Sequence, residues 1–197
     1  MMFRIICVTN RKLCSGDFIA RLSEISRGGA DYVILREKDL NEVEYAELAE
    51  RALGACGERL VLHGTGALPL LRRLPRVHLP LAVLGNNPAL RREAELLGVS
   101  VHSSEEAKRA EALGADYATA GHVFETDCKR GVPGRGLDFL KATAASVRIP
   151  VYAIGGISAR NLAAVRGAGA AGACVMSGLM SCPSARAELE ALRRALA

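Results

Sequence analysis

Gly29-Ala30-Asp31-Tyr32 returns 85 residues later as Gly114-Ala115-Asp116-Tyr117, and the fold is read from this pair. Each tetrapeptide follows an amphipathic helical stretch and runs into a strand-forming segment. Glycine there closes the helix in a left-handed conformation that other residues resist. A third echo is Gly167-Ala168-Gly169-Ala170. If the first pair marks strands 2 and 6, four βα units fill the interval at about 21 residues each, and eight such units fit the chain.

Short β-branched runs alternate with helical patterns over the whole length. Eight strands are predicted: Arg4–Thr9, Tyr32–Arg36, Leu60–His63, Arg76–Leu79, Ser100–His102, Tyr117–Gly121, Val151–Ile154 and Ala173–Met176. Between them apolar residues recur at helical spacing, as in Phe18, Leu22, Ile25 and in Tyr45, Leu48, Ala49, Ala52. Ser103-Ser104-Glu105-Glu106 has the form of a capping box, and Asn87-Pro88 that of an N-cap followed by proline at the first helical position. An unbroken series of βα units implies a parallel sheet, and eight close into a (β/α)8 TIM barrel, a single α/β domain over 1–197. The alternative, an open doubly wound sheet, calls for a G-x-G-x-x-G turn after the first strand, where this chain has Thr9-Asn10-Arg11-Lys12.

With 197 residues, 50% hydrophobic and 24% charged, the chain can bury a sizeable core and is not a disordered segment. No apolar run is long enough to span a bilayer, and Met1 to Val8 lack the form of a signal peptide, so the expected location is the cytoplasm. Cys7, Cys14, Cys56, Cys128, Cys174 and Cys182 form no C-x-x-C pair and are read as reduced thiols. The net charge is +5, but with four Tyr, four Phe and no Trp a nucleic-acid track is not expected. A local anion site fits better.

Barrel active sites are built at the carboxyl ends of the strands. All four histidines (His63, His78, His102, His122) fall at predicted strand ends. No carboxylate directly follows His63 or His78, so no metal is expected. After strands 7 and 8 come Gly155-Gly156 and Met176-Ser177-Gly178, whose backbone N–H groups suit a phosphate. Arg36 and Lys38, at the end of strand 2, add positive charge unless Glu37 or Asp39 claims them. The loop from Gly121 to Gly136, with Lys129, Arg130 and Arg135, is long enough to act as a lid over an anionic substrate. His122 at its root suits general acid/base work, since an ordinary imidazole titrates near neutral pH. Cys128 is a nucleophile candidate without an evident partner.

Over nearly its whole length the chain resembles the thiamine phosphate synthase and TenI superfamily. The matching pieces are Leu35-Arg36-Glu37-Lys38-Asp39, Gly98-Val99-Ser100-Val101-His102-Ser103, Gly114-Ala115-Asp116-Tyr117, Ile149 to Ile157 and Val175-Met176-Ser177-Gly178. The synthases of this superfamily carry Asp-containing motifs after strands 3 and 4 that hold Mg2+ and pyrophosphate. Here those positions read His63-Gly64-Thr65-Gly66-Ala67 and His78-Leu79-Pro80-Leu81-Ala82. A departing pyrophosphate needs its charge neutralised, which disfavours synthase chemistry unless other residues take over. Gly121-His122-Val123-Phe124-Glu125-Thr126-Asp127-Cys128-Lys129 is similar to the strand-6 loop of the TenI-type thiazole tautomerases.

The resemblance therefore implies an isomerase of thiamine biosynthesis that aromatises a carboxythiazole ethyl phosphate. In it His122 moves the proton, Gly155, Gly156, Met176, Ser177 and Gly178 hold the phosphate, and Arg36, Lys38, Ser100, His102 and Arg135 contact the rest of the ligand. No cofactor, nucleic acid or membrane is implied, and association into homo-oligomers is. A thiamine phosphate synthase coupling a pyrimidine pyrophosphate to a thiazole phosphate, or a non-catalytic regulatory protein, are the alternatives.

Overall fold

The computed structural model describes residues 2–126 and 131–196. In both repeated tetrapeptides the glycine has positive φ, 96° at Gly29 and 84° at Gly114, and the alanine that follows is buried. The aspartate then stitches its strand to the preceding one. Asp31 Oδ2 accepts from the Ile5 N–H at 2.8 Å, and Asp116 Oδ2 accepts from the Leu97 N–H at the same distance. An arginine closes each clamp, Arg193 on Asp31 at 3.1 Å and Arg91 on Asp116 at 2.6 Å. The repeat thus encodes one local device used twice.

Eight parallel strands follow: β1 (Arg4–Val8), β2 (Tyr32–Leu35), β3 (Leu60–His63), β4 (Arg76–Pro80), β5 (Leu96–Val101), β6 (Tyr117–Gly121), β7 (Val151–Ile154) and β8 (Gly172–Val175). They pair in sequence order, and β8 returns to β1, closing a (β/α)8 barrel. The helices are α1 (Phe18–Arg27), α2 (Glu42–Cys56), α3 (Leu81–Asn86), α4 (Leu90–Glu93), α5 (Ser104–Ala112), α6 (Gly136–Ala145), α7 (Leu162–Gly167), α8 (Ser177–Met180) and α9 (Ala185–Arg194). None is long and apolar enough to cross a membrane. Between β3 and β4 there is only a 3-10 segment, Thr65–Leu70.

Three predicted features differ. β5 begins at Leu96, four residues before the expected Ser100, because Leu96 and Leu97 belong to the wall rather than to the preceding helix. Asn87 caps no helix start. It ends α3, its Nδ2 donating to the Val83 carbonyl at 3.3 Å. At α5, Ser103 accepts from the Glu106 N–H at 3.1 Å, but the Glu106 carboxylate reaches back to the His102 N–H at 2.6 Å, so the reciprocal half of the box is shifted by one residue. The complete box is at α2, between Asn41 and Glu44.

Apolar residues form two clusters, one between wall and helices and a smaller one inside the barrel around Ile6, Ile34, Val61, Tyr117 and Tyr152. Within the barrel a row of rings runs from His63 to His78 at 5.7 Å, to Tyr117 at 5.5 Å and to Tyr152 at 5.1 Å between centroids. Gly98 makes room for it, since a Cβ there would come within 2.1 Å of the Tyr117 ring and 2.5 Å of His78 Nδ1.

The Asp116 clamp is open to a direct check. Asp116→Ala removes a charge-assisted bond to backbone and a partner of Arg91, and is expected to cost about 1 to 3 kcal/mol in urea unfolding. A loss below about 0.5 kcal/mol, the range of ordinary surface substitutions, would show that the clamp contributes nothing.

Candidate active site at the carboxyl end of the barrel

The end of β2 is organised by a buried carboxylate. Glu37 is 5% exposed and accepts from the Thr9 hydroxyl at 2.6 Å, from the Arg11 N–H at 3.0 Å, and from the Arg11 guanidinium at 3.3 Å. Thr9 Oγ1 in turn accepts from the Arg36 N–H at 2.9 Å. Asp39 pairs with Arg11 at 2.6 Å and with Lys12 at 2.8 Å, and these cations, Arg11 first, hold its carboxyl well below the usual range. Glu37 and Asp39 are thus committed to the β1 loop, while Arg36 and Lys38 line a cavity inside the barrel mouth.

His63 ends β3, whereas its register partner His78, expected at a strand end, lies inside β4 two residues before Pro80, because that strand runs on past Leu79. Burial pushes the His63 pKa down to about 4, with Arg36 and Lys38 adding repulsion. His78 is pushed down to about 3 by complete burial and by His63. Both imidazoles are neutral at pH 7. His78 is held by hydroxyls alone: Nδ1 by Tyr117 at 3.1 Å, Nε2 by Ser100 at 2.8 Å and Thr119 at 3.3 Å. Mg2+ takes oxygen ligands, chiefly carboxylates. The two strand ends offer none, and among the described residues no three His, Cys, Asp or Glu side chains group to hold a metal ion. This rim does not fit Mg2+.

On the opposite rim the loops after β7 and β8 meet the strand-6 loop. Gly155 and Gly156 have φ of 102° and 64°, and a Cβ would lie 2.3 Å from His122 Cβ at the first and 2.5 Å from the Glu125 carbonyl at the second. The pair is therefore required for packing against residues 122–125 as well as for exposing backbone. The N–H groups of Gly155, Gly156 and Ile157 meet no acceptor among the described residues, and the first N–H groups of α8, from Ser177 and Gly178, have no partner within the helix. Such a concavity of donors suits a phosphate.

His122 follows a cis Gly121–His122 peptide and is 6% exposed. Its Nε2 sits 3.2 Å from the Val132 carbonyl, which only an N–H can satisfy, so the lone pair is on Nδ1, a buried atom with no hydrogen-bond partner among the described residues. His102 Nδ1 likewise donates to the Gly121 carbonyl at 2.8 Å, leaving Nε2 as its acceptor.

A cavity of 340 Å³ brings these groups together. Arg36, Lys38, Ser100, His102, His122, Gly155, Gly156, Met176 and Ser177 all line it, and Gly178 lines the adjoining space that shares Gly156 and Ser177. Arg135 is the exception. It is exposed, its guanidinium lies 5.4 Å from the centre of the Phe139 ring, and only its backbone N–H reaches inward, to the His122 carbonyl at 3.0 Å. Cys128, Lys129 and Arg130 lie outside the described residues. Sequence reasoning missed Thr119 and Pro80 as lining residues. Thr119 carried a usable signal, a polar residue in the middle of a buried strand.

Fold and rim define a TIM barrel whose mouth is built for anions. A sequence pattern described as thiamine monophosphate synthase matches residues 5–179, and the chain belongs to that family. The thiamine-phosphate synthase of Syntrophomonas wolfei is 32% identical, with 98% of this chain and 95% of the relative covered. That of Desulfitobacterium hafniense strain Y51 is 35% identical over 91% of this chain and 90% of the relative. Among solved structures, a thiamine phosphate pyrophosphorylase from Pyrococcus furiosus superposes with a TM-score of 0.81 at 30% identity, covering 98% and 95% of the two chains. These names overturn the expectation of a thiazole tautomerase and, with it, of an isomerase: the relatives are named as synthases, which join two molecules. The strand-6 loop that suggested the tautomerase lies partly outside the described residues.

The two neutral histidines make stability pH-dependent. Unfolded, each takes a proton below about pH 6.5, whereas folded His63 stays neutral to about 4 and His78 to about 3. Stability is full above pH 6.5 and falls on acidification, by up to about 1.4 kcal/mol per pH unit for each imidazole. Urea unfolding of His63→Gln between pH 7 and 5 should show a flatter acid limb than wild type. An unchanged slope would mean that His63 is protonated in the folded protein.

Proposed function

We propose that the chain is a thiamine-phosphate synthase, coupling a pyrimidine pyrophosphate to a thiazole phosphate. The observation that carries this reading is a single cavity with two anion-ready ends, the Gly155-Gly156 and Ser177 backbone at one side and Arg36 with Lys38 at the other. A ligand with one phosphate needs only one of them. Two phosphorylated substrates need both, with their reacting atoms between.

In the coupling, the bond from the pyrimidine methylene carbon to the pyrophosphate oxygen breaks and its electron pair leaves with pyrophosphate. The thiazole ring nitrogen supplies the pair that forms the new C–N bond, giving a thiazolium and free pyrophosphate. No net proton transfer is required. Ser100, placed by His78, then serves as a hydroxyl facing the ligands, and His122 lines the same cavity beside Gly155. Holding both partners in one small cavity supplies the orientation that a bimolecular step otherwise lacks.

The assay is pyrophosphate release and thiamine phosphate formation from the two substrates together. Wild type should release one pyrophosphate per coupled product, and neither substrate alone should release any. Gly156→Ala forces a methyl against the Glu125 carbonyl at a φ that disfavours alanine; KM for the thiazole phosphate should rise tenfold or more. No coupled product from wild type would overturn the reading.

A further inference from the structure

We infer that this rim holds a diphosphate through side-chain cations, Arg36 foremost, without a divalent metal ion. The inference rests on the coupling reading for the identity of the diphosphate, but its physical basis is the local charge arrangement.

Arg36 lines the 340 Å³ cavity, and its guanidinium makes no ion pair or hydrogen bond among the described residues. Other guanidiniums nearby or on the same scaffold are committed: Arg11 to Asp39, Arg91 to Asp116, Arg193 to Asp31. Five donors in a planar fork, facing a cavity that no carboxylate among the described residues lines, are matched to phosphate oxygens. The backbone at Arg36 is fixed by Thr9, and Glu37 is turned to Thr9 and Arg11, so the cation is presented from a rigid strand end.

The same arrangement opposes a dication. The imidazole that a metal would meet in the cavity wall is His63, stacked 5.7 Å from the buried His78. Burial first, and then Arg36 and Lys38, make protonation of His63 unfavourable, and the two cations in the same cavity wall oppose a dication there. The carboxylates closest in the chain are spoken for: Glu37 by Thr9 and Arg11, Asp39 by Arg11 and Lys12. Glu42, at the start of α2, lines only the neighbouring 500 Å³ space beyond Lys38 and His63. A metal-bound diphosphate trades its charge for bridging ligands from protein oxygens; this rim offers direct charge pairing instead.

Calorimetric titration of inorganic pyrophosphate into the full chain tests this, once in EDTA and once with Mg2+, for wild type, Arg36→Gln and Arg36→Lys, each checked for native circular dichroism. The expected result is binding in EDTA that Mg2+ does not strengthen, weakened at least tenfold in Arg36→Gln and partly retained in Arg36→Lys. Binding that appears only with Mg2+, or that is unchanged in Arg36→Gln, overturns the inference. The two proposals fail separately. Metal-free pyrophosphate binding with no coupled product would remove the synthase reading and leave this one standing; coupling that stops in EDTA would do the reverse.

Discussion

A carboxylate buried beside the barrel mouth fixes the geometry on which the rest depends. Glu37 gains the Thr9 hydroxyl, the Arg11 backbone N–H and the Arg11 guanidinium as donors, which offsets the cost of removing its charge from water. Because residues leaving a strand alternate in direction, committing Glu37 to the β1 loop sends Arg36 and Lys38 the other way, into the cavity. One acidic residue between two basic ones thus yields a one-sided positive wall. Had the three side chains paired among themselves, as neighbouring surface charges commonly do, the mouth would carry little net charge on this side.

Facing that wall, the glycine loops after β7 and β8 gain their shape from packing rather than from ligand contact. Gly155 and Gly156 lie so close to residues 122–125 that side chains cannot be placed there, and this contact seats His122 at the edge of the same cavity. Binding and positioning are therefore consequences of one interface. The row of rings from His63 to Tyr152 completes the floor, filling the barrel with side chains among which His78 bonds to the Tyr117 and Ser100 hydroxyls. Such a floor is rigid, and it keeps two imidazoles neutral near an anion site where protonated ones would otherwise be expected.

Much of this architecture was legible in the residues. The Gly-Ala-Asp-Tyr repeat reports the helix stop, the buried alanine and the aspartate clamp together, and the placement of His63, His102 and His122 at strand ends follows once the strands are known, while His78 falls inside β4. What was not legible depends on tertiary choices. Glu37 and Asp39 looked equivalent as partners for Arg36 and Lys38, and only packing against Thr9 and Arg11 decides where they turn. Arg135 looked like a loop cation aimed at substrate, yet Phe139 lies one helical turn along and takes its guanidinium. The reaction class was misread because the strand-6 loop and the missing carboxylates weighed toward a tautomerase, whereas relatives covering nearly the whole chain are named as synthases.

The central claim is that one cavity binds two anions at once, at opposite ends. Titrating the thiazole phosphate into protein already saturated with inorganic pyrophosphate measures it directly. The account predicts one further equivalent bound, with an affinity within a few-fold of that for the free protein. Displacement of pyrophosphate by the thiazole phosphate, seen as an apparent affinity that weakens in proportion to pyrophosphate concentration, would mean a single anion site and would contradict it.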